Sequence, residues 1–174
     1  IPGFWQFIEQ AVAGFNKQTD RVAQKPEDVM PWKVLGQKWH LSRKGFRPGK
    51  KVLWETPVLD ELLELLNSAA PGGQFLWNNQ LLVHLVPAGQ SEPWATVYTK
   101  KNAAIELHLR SPKGVFALGR ISEMGRSREL DATNARRDVM KFHFRTSDDL
   151  HRGGLLEFLA EHVSSLDEKA AARA

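Results

Sequence analysis

Seven Lys or Arg residues crowd into the nineteen positions KVLGQKWHLSRKGFRPGKK, from Lys33 to Lys51, without one Asp or Glu among them. Lys33, Lys38, Arg43, Lys44, Arg47, Lys50 and Lys51 supply the cations, His40 adds an imidazole, and Trp39 and Phe46 are interleaved with them. Ammonium and guanidinium groups at this density suit phosphate oxygens, and a ring set between them can stack on an unpaired base. The chain holds 24 basic and 20 acidic residues, so outside this stretch 17 basic residues face 20 acidic ones and the positive surplus is local. Gly45, Pro48 and Gly49 make the second half of the stretch a turn-rich loop. The rings have a competing use: residues such as Trp32, Trp39 and Trp54 are more often core anchors that pin such a loop to the domain.

A second group of polar side chains comes from alternation. In Ile105 to Arg110 the apolar set is 105, 107 and 109, which leaves Glu106, His108 and Arg110 on the opposite face. In Met140 to Arg145 the polar set is Lys141, His143 and Arg145. If the two strands are neighbours, Arg110, Lys141, His143 and Arg145 build a basic platform on the side away from the core. The plainer alternative is one solvated face of an antiparallel sheet, and Glu106 and the acids of residues 122–138 count against a continuous patch.

Other chemistry finds no support in the spacing. Gly45 to Lys51 imitates a nucleotide P-loop, but three residues instead of four separate the glycines, and Lys51 stands where Ser or Thr would reach magnesium. The six histidines show no HxH or HxxxH spacing, Ser42 and Ser111 lie in no nucleophile elbow, and the absence of cysteine removes disulfides and thiolate ligands. No catalytic residue, metal site or cofactor is expected.

These groups must be held by a scaffold. The length of 174 residues suits a single domain, and 42% apolar with 25% charged residues is a globular composition. Phe4, Phe7, Ile8, Ala11, Val12 and Phe15 recur at helical spacing and predict an amphipathic helix over 3–24, a possible connector, followed by an irregular crossing at 25–31. Thr56-Pro57 reads as a helix start for 57–68, with Val58, Leu59, Leu62, Leu63, Leu65 and Leu66 on its buried side. Period-two segments near 74–77, 80–86, 94–100, 104–110, 115–121 and 138–145 are separated by short turns, and 122–137 reads as a polar loop. Asp148-Asp149 start a short helical turn, and helical spacing returns from Leu155 to Leu166 before a tail, 167–174, expected to fray. The expected fold is α+β: an antiparallel β-meander of about five or six strands, with the N-terminal helix, helix 57–68 and the C-terminal helix packed on one face of the core, 26–166. No apolar run approaches a membrane span and no leader pattern opens the chain, which favours a cytoplasmic protein without a membrane partner. The first residue is Ile1, not Met, and the chain is read as part of a longer protein.

PWKVLGQKWH (31–40), GFRPGKK (45–51) with Trp54, and GVFALGRI (114–121) together resemble a domain appended to the C-terminus of bacterial UvrA-like proteins, ABC-type ATPases of the excinuclease kind. The resemblance covers roughly residues 26–150. It implies a parent protein that hydrolyses ATP and relatives that search DNA for damage during excision repair. The chain has no Walker A motif, no LSGGQ signature and no cysteine zinc module, so no catalytic residue carries over. What is implied is a non-catalytic accessory domain that binds DNA. The alternative is a protein-interaction module that docks on the parent ATPase core or a repair partner. A dispersed active site would instead require a deep pocket in which Glu106, His108 or His143 converge.

Overall fold

A computed structural model describes residues 30–122, 124–151 and 153–171. The helix expected over 3–24, most of the crossing at 25–31 and the last three residues of the tail lie outside the described residues. What was expected to be one irregular basic stretch contains two single-turn helices, α1 (Pro31–Leu35) and α2 (Gln37–Leu41). Pro31 presets the first turn of α1, and Gly36, at φ +51°, breaks the chain between the two. Residues 42–55 then form the loop. Helix α3 (Thr56–Ala69) begins one residue earlier than expected, with Glu55 as its N-cap, and buries Val58, Leu59, Leu62, Leu63 and Leu66.

Strands β1 (Gln74–Leu76), β2 (Leu82–Val86), β3 (Ala95–Tyr98) and β4 (Ile105–Pro112) form an antiparallel meander. The segment 115–121, expected as a strand, instead ends in a helical turn, α4 (Leu118–Ile121). The polar stretch expected as a loop contains β5 (Ser127–Asp131), which pairs with the outer side of β6 (Arg137–Phe144). The six-stranded order is therefore β1-β2-β3-β4-β6-β5, all antiparallel, and the meander is interrupted only at its last step. The short turn α5 (Ser147–Leu150) is held by Asp149, whose carboxylate accepts the backbone N–H groups of Arg145 and Thr146. Helix α6 (Leu155–Ala171) runs five residues into the segment expected to fray.

One face of the sheet is apolar because alternation puts Ile105, Leu107, Leu109, Met140, Phe142 and Phe144 on the same side. These residues share one core with Leu62 and Leu66 of α3 and with Phe158 and Leu159 of α6, so the helices cover that face. Trp94, ahead of β3, joins the layers: its indole N–H donates to His162 Nδ1 of α6 at 2.5 Å. The imidazole must be neutral to accept that bond, and burial pushes its pKa down to about 4. The opposite face is open and polar. No helix among the described residues is long and apolar enough to cross a membrane.

Candidate nucleic-acid interface

The basic segment is fixed at its root by a buried lysine that strand alternation supplies. Lys100, just after β3, is only 6% exposed, and its Nζ donates to the carbonyl oxygens of Trp39 (2.7 Å), His40 (3.2 Å) and Ser42 (2.8 Å). These carbonyls end helix α2, so the ammonium satisfies the His40 and Ser42 acceptors that the helix itself leaves open, shares that of Trp39 with the Ser42 hydroxyl, and sits at the negative end of the helix dipole. The same Nζ lies 5.2 Å from the ring centre of Trp39 and 5.0 Å from that of Phe46. Burial and the neighbouring Arg43 lower the Lys100 pKa to about 8.

This root changes the role of several residues expected to contact nucleic acid. Trp39 is 5% exposed and donates its indole N–H to the Gln80 carbonyl, so it cannot stack on a base. His40 is fully buried and hydrogen-bonded through Nδ1 to the Thr99 hydroxyl (2.6 Å); burial and then Lys100 push its pKa down to about 4. Phe46 is half-buried, 5.9 Å from the Trp54 ring, and is wall rather than platform. Arg43 lies over the Trp54 ring at 4.4 Å and donates to the Trp54 carbonyl and the Thr56 hydroxyl, which commits it to holding the loop. Gly45, at φ +83°, brings the loop backbone onto the Trp39 indole; a Cβ there would meet the ring at 2.5 Å.

The rest of the loop is clamped to the β3–β4 turn. Asn102 donates its side-chain amide to the Lys50 carbonyl and accepts the Leu53 N–H at its own carbonyl, while the buried Trp54 indole donates to the Lys101 carbonyl. Between loop and turn lies a cleft of about 680 Å³. Arg47, Lys50 and Lys51 reach it from the loop and Lys101 from the turn, and Leu53, Leu81 and Tyr98 provide apolar surface. Leu53 and Leu81 are about half exposed, 50% and 51%. Among the described residues no Asp or Glu lines this cleft. Lys33, Lys38 and Lys44 are exposed but stand outside its lining.

The open sheet face differs from the expected basic platform. β4 and β6 are neighbours, with Glu106 opposite His143 and His108 opposite Lys141. That register sets Glu106 among basic side chains: it meets Lys101 Nζ at 2.6 Å, His108 Nε2 at 3.2 Å and His143 Nε2 at 3.6 Å. Burial opposes the charge of this carboxylate, but its cationic and hydrogen-bonding neighbours prevail and hold its pKa below the usual value. β5 adds Asp131 and Glu129 beside Lys141, at 3.3 and 3.9 Å. Arg145 Nε donates to the Ala103 carbonyl. Lys141, His143 and Arg145 are thus engaged within the protein, and Arg110 alone of the four lies apart, near His84, whose pKa burial and Arg110 both lower. Among the described residues no group of three or more His, Cys, Asp or Glu could hold a metal ion.

Lys100, Lys101, Tyr98, Leu53, Leu81 and Asn102 were not singled out by sequence reasoning. The Lys100-Lys101 pair at the end of a period-two segment carried a signal, since consecutive residues there point to opposite sides and only one can face solvent. No family model, curated protein or solved structure matches the chain.

Proposed function

We propose that the chain is a non-catalytic nucleic-acid-binding domain, for DNA, which grips phosphates with Arg47, Lys50 and Lys51 at the lip of the cleft between loop and β3–β4 turn, with Lys101 held beside them by Glu106. The observation that carries this reading is the cleft itself: Arg47, Lys50 and Lys51 from the loop and Lys101 from the turn, no acid among the described lining residues, and apolar surface from Leu53, Leu81 and Tyr98. Such a lip supplies affinity without base specificity, and binding should weaken steeply as added salt reduces the gain from counterion release. With the UvrA-like resemblance, the reading becomes an accessory domain of a bacterial, cytoplasmic DNA-repair ATPase that adds DNA contacts to its parent. The test is DNA binding at low and moderate salt by the native chain and by a variant with Arg47, Lys50 and Lys51 changed to Glu. Binding that is missing at low salt, or indifferent to the reversals, rules the reading out.

Half-exposed Leu53 and Leu81 favour one second reading, in which the cleft receives an acidic, partly apolar segment of the parent ATPase or of a repair partner. Co-purification with the ATPase core that survives nuclease treatment would select it.

A further inference from the structure

A second set of cations lies at the far end of β4. Arg110, near the close of that strand, and Arg136 and Arg137, where β6 begins, line one cavity of about 750 Å³ with Glu92 and Trp94. Pairing of Pro112 with Arg137 and of Arg110 with Val139 brings these segments together. Among the described residues none of the three guanidiniums has a side-chain hydrogen bond or ion pair, and one lining carboxylate leaves the group with a positive excess. At about 3.4 Å per residue, the eight-residue β4 separates this group from the Lys101 end of the first cleft by roughly 25 Å.

The surface between the two ends is of another kind. Tyr98 and His108 lie ring against ring at 4.6 Å, with Thr96 and His84 alongside. The charges there are matched, and Glu106 lies low, with its side chain 16% exposed. A phosphate would be repelled above that carboxylate, whereas a base would not. Cations at both ends and rings in the middle are the features that hold an unpaired strand, backbone on the charges and bases on the rings. A duplex keeps its base faces stacked inside and would leave the Tyr98 ring without one to stack on.

We infer that single-stranded DNA runs along β4 over the open face, from the Arg47, Lys50 and Lys51 cleft to the Arg110, Arg136 and Arg137 cavity. This rests on the nucleic-acid reading and makes it specific to unpaired strands. The 174-residue chain would be titrated at low salt with oligothymidylates of ~4 and ~16 nucleotides, spanning the range of single-strand sites, and with a duplex of the longer length. Arg136→Glu with Arg137→Glu, both exposed, should weaken the long strand about tenfold and the short one less than about twofold, because only the long one reaches both ends. Tyr98→Leu should weaken the long strand without changing its salt dependence, since a stacking contact releases no counterion. A duplex that binds as tightly as the long strand, or a long strand indifferent to the arginine reversals, overturns the inference and leaves the cleft reading standing. Failure of every oligonucleotide to bind at low salt overturns both.

Discussion

The lip of the cleft and the centre of the open sheet face are built from the same residue types, Lys, Arg and His beside aromatic rings, yet they reach opposite electrostatic ends. At the centre each basic group meets a carboxylate: Lys101 and the imidazoles of His108 and His143 meet Glu106, and Lys141 meets Asp131. At the lip Arg47, Lys50 and Lys51 face a lining without acids, while their neighbours Arg43 and Lys100 are spent on aromatic faces and backbone oxygens that hold the loop in place. A cation count therefore does not locate a binding surface. Register decides at the centre, where pairing places Glu106 between Tyr98 and His143, and anchoring decides at the lip, where buried Lys100 and Arg43 over the Trp54 ring hold the loop that carries the others.

The largest effect expected from breaking this arrangement comes from Lys100→Met. It leaves the His40 and Ser42 carbonyls without their donor, while that of Trp39 keeps the Ser42 hydroxyl, and should cost about 2 kcal/mol in chemical denaturation, with the affinity of the loop for DNA lost in parallel. If the variant keeps full stability, Lys100 is not the anchor and the two regions differ for another reason.

Next is acid. His40, under the lip, and His162, in the core, have folded-state pKa values near 4 against 6.5 in the unfolded chain. The unfolded chain therefore binds protons first. Stability is complete above pH 6.5 and declines as pH falls toward 4, for His162 by on the order of 3 kcal/mol. His162→Gln should flatten the decline measured by denaturation at stepped pH, and an unchanged slope would dismiss it as the source.

Reversing Arg47, Lys50 and Lys51 to Glu should cut DNA affinity about tenfold or more at low salt and flatten its salt dependence by about one unit per contact, with the fold intact by circular dichroism. Lys141→Glu at the centre should change affinity less than about twofold, because Lys141 is already engaged by Asp131 and Glu129. Equal losses from the two sites would erase the distinction between them. The smallest effect, and the sharpest, is Glu106→Gln. It releases Lys101 toward the cleft and should tighten DNA binding by about two- to threefold. Weaker binding would mean that Lys101 serves the centre and not the lip.

The elements with strong periodicity were legible in the chain: the Leu-rich face of α3, the alternation of β4 and β6, and hence the side on which Glu106, His108, Lys141 and His143 stand. The elements that tertiary contact creates were not. β5, SRELD, is an edge strand whose one inward apolar residue is Leu130, so no alternation marks it, and pairing with β6 makes it a strand. Val115 to Ile121 alternates well enough to resemble a strand, but it turns helical at Leu118, where Ile121 reaches the core. Helices α1 and α2 are too short to show a period. The site was legible as a basic segment, not as a cleft: its second wall, Tyr98 to Ala103, lies about fifty residues away in sequence and meets the loop through Asn102, Trp54 and Lys100.

The clamp on this loop bears on how fast a ligand can be captured. A free loop of Gly, Pro and Lys would have to order itself around each arriving anion, and encounter would be followed by a slower settling step. Here Lys100, Trp54 and Asn102 have already ordered it. An anion arriving at the cleft should be captured in a single phase, at a rate set by long-range attraction and diffusion and slowed by added salt, with no conformational step behind it.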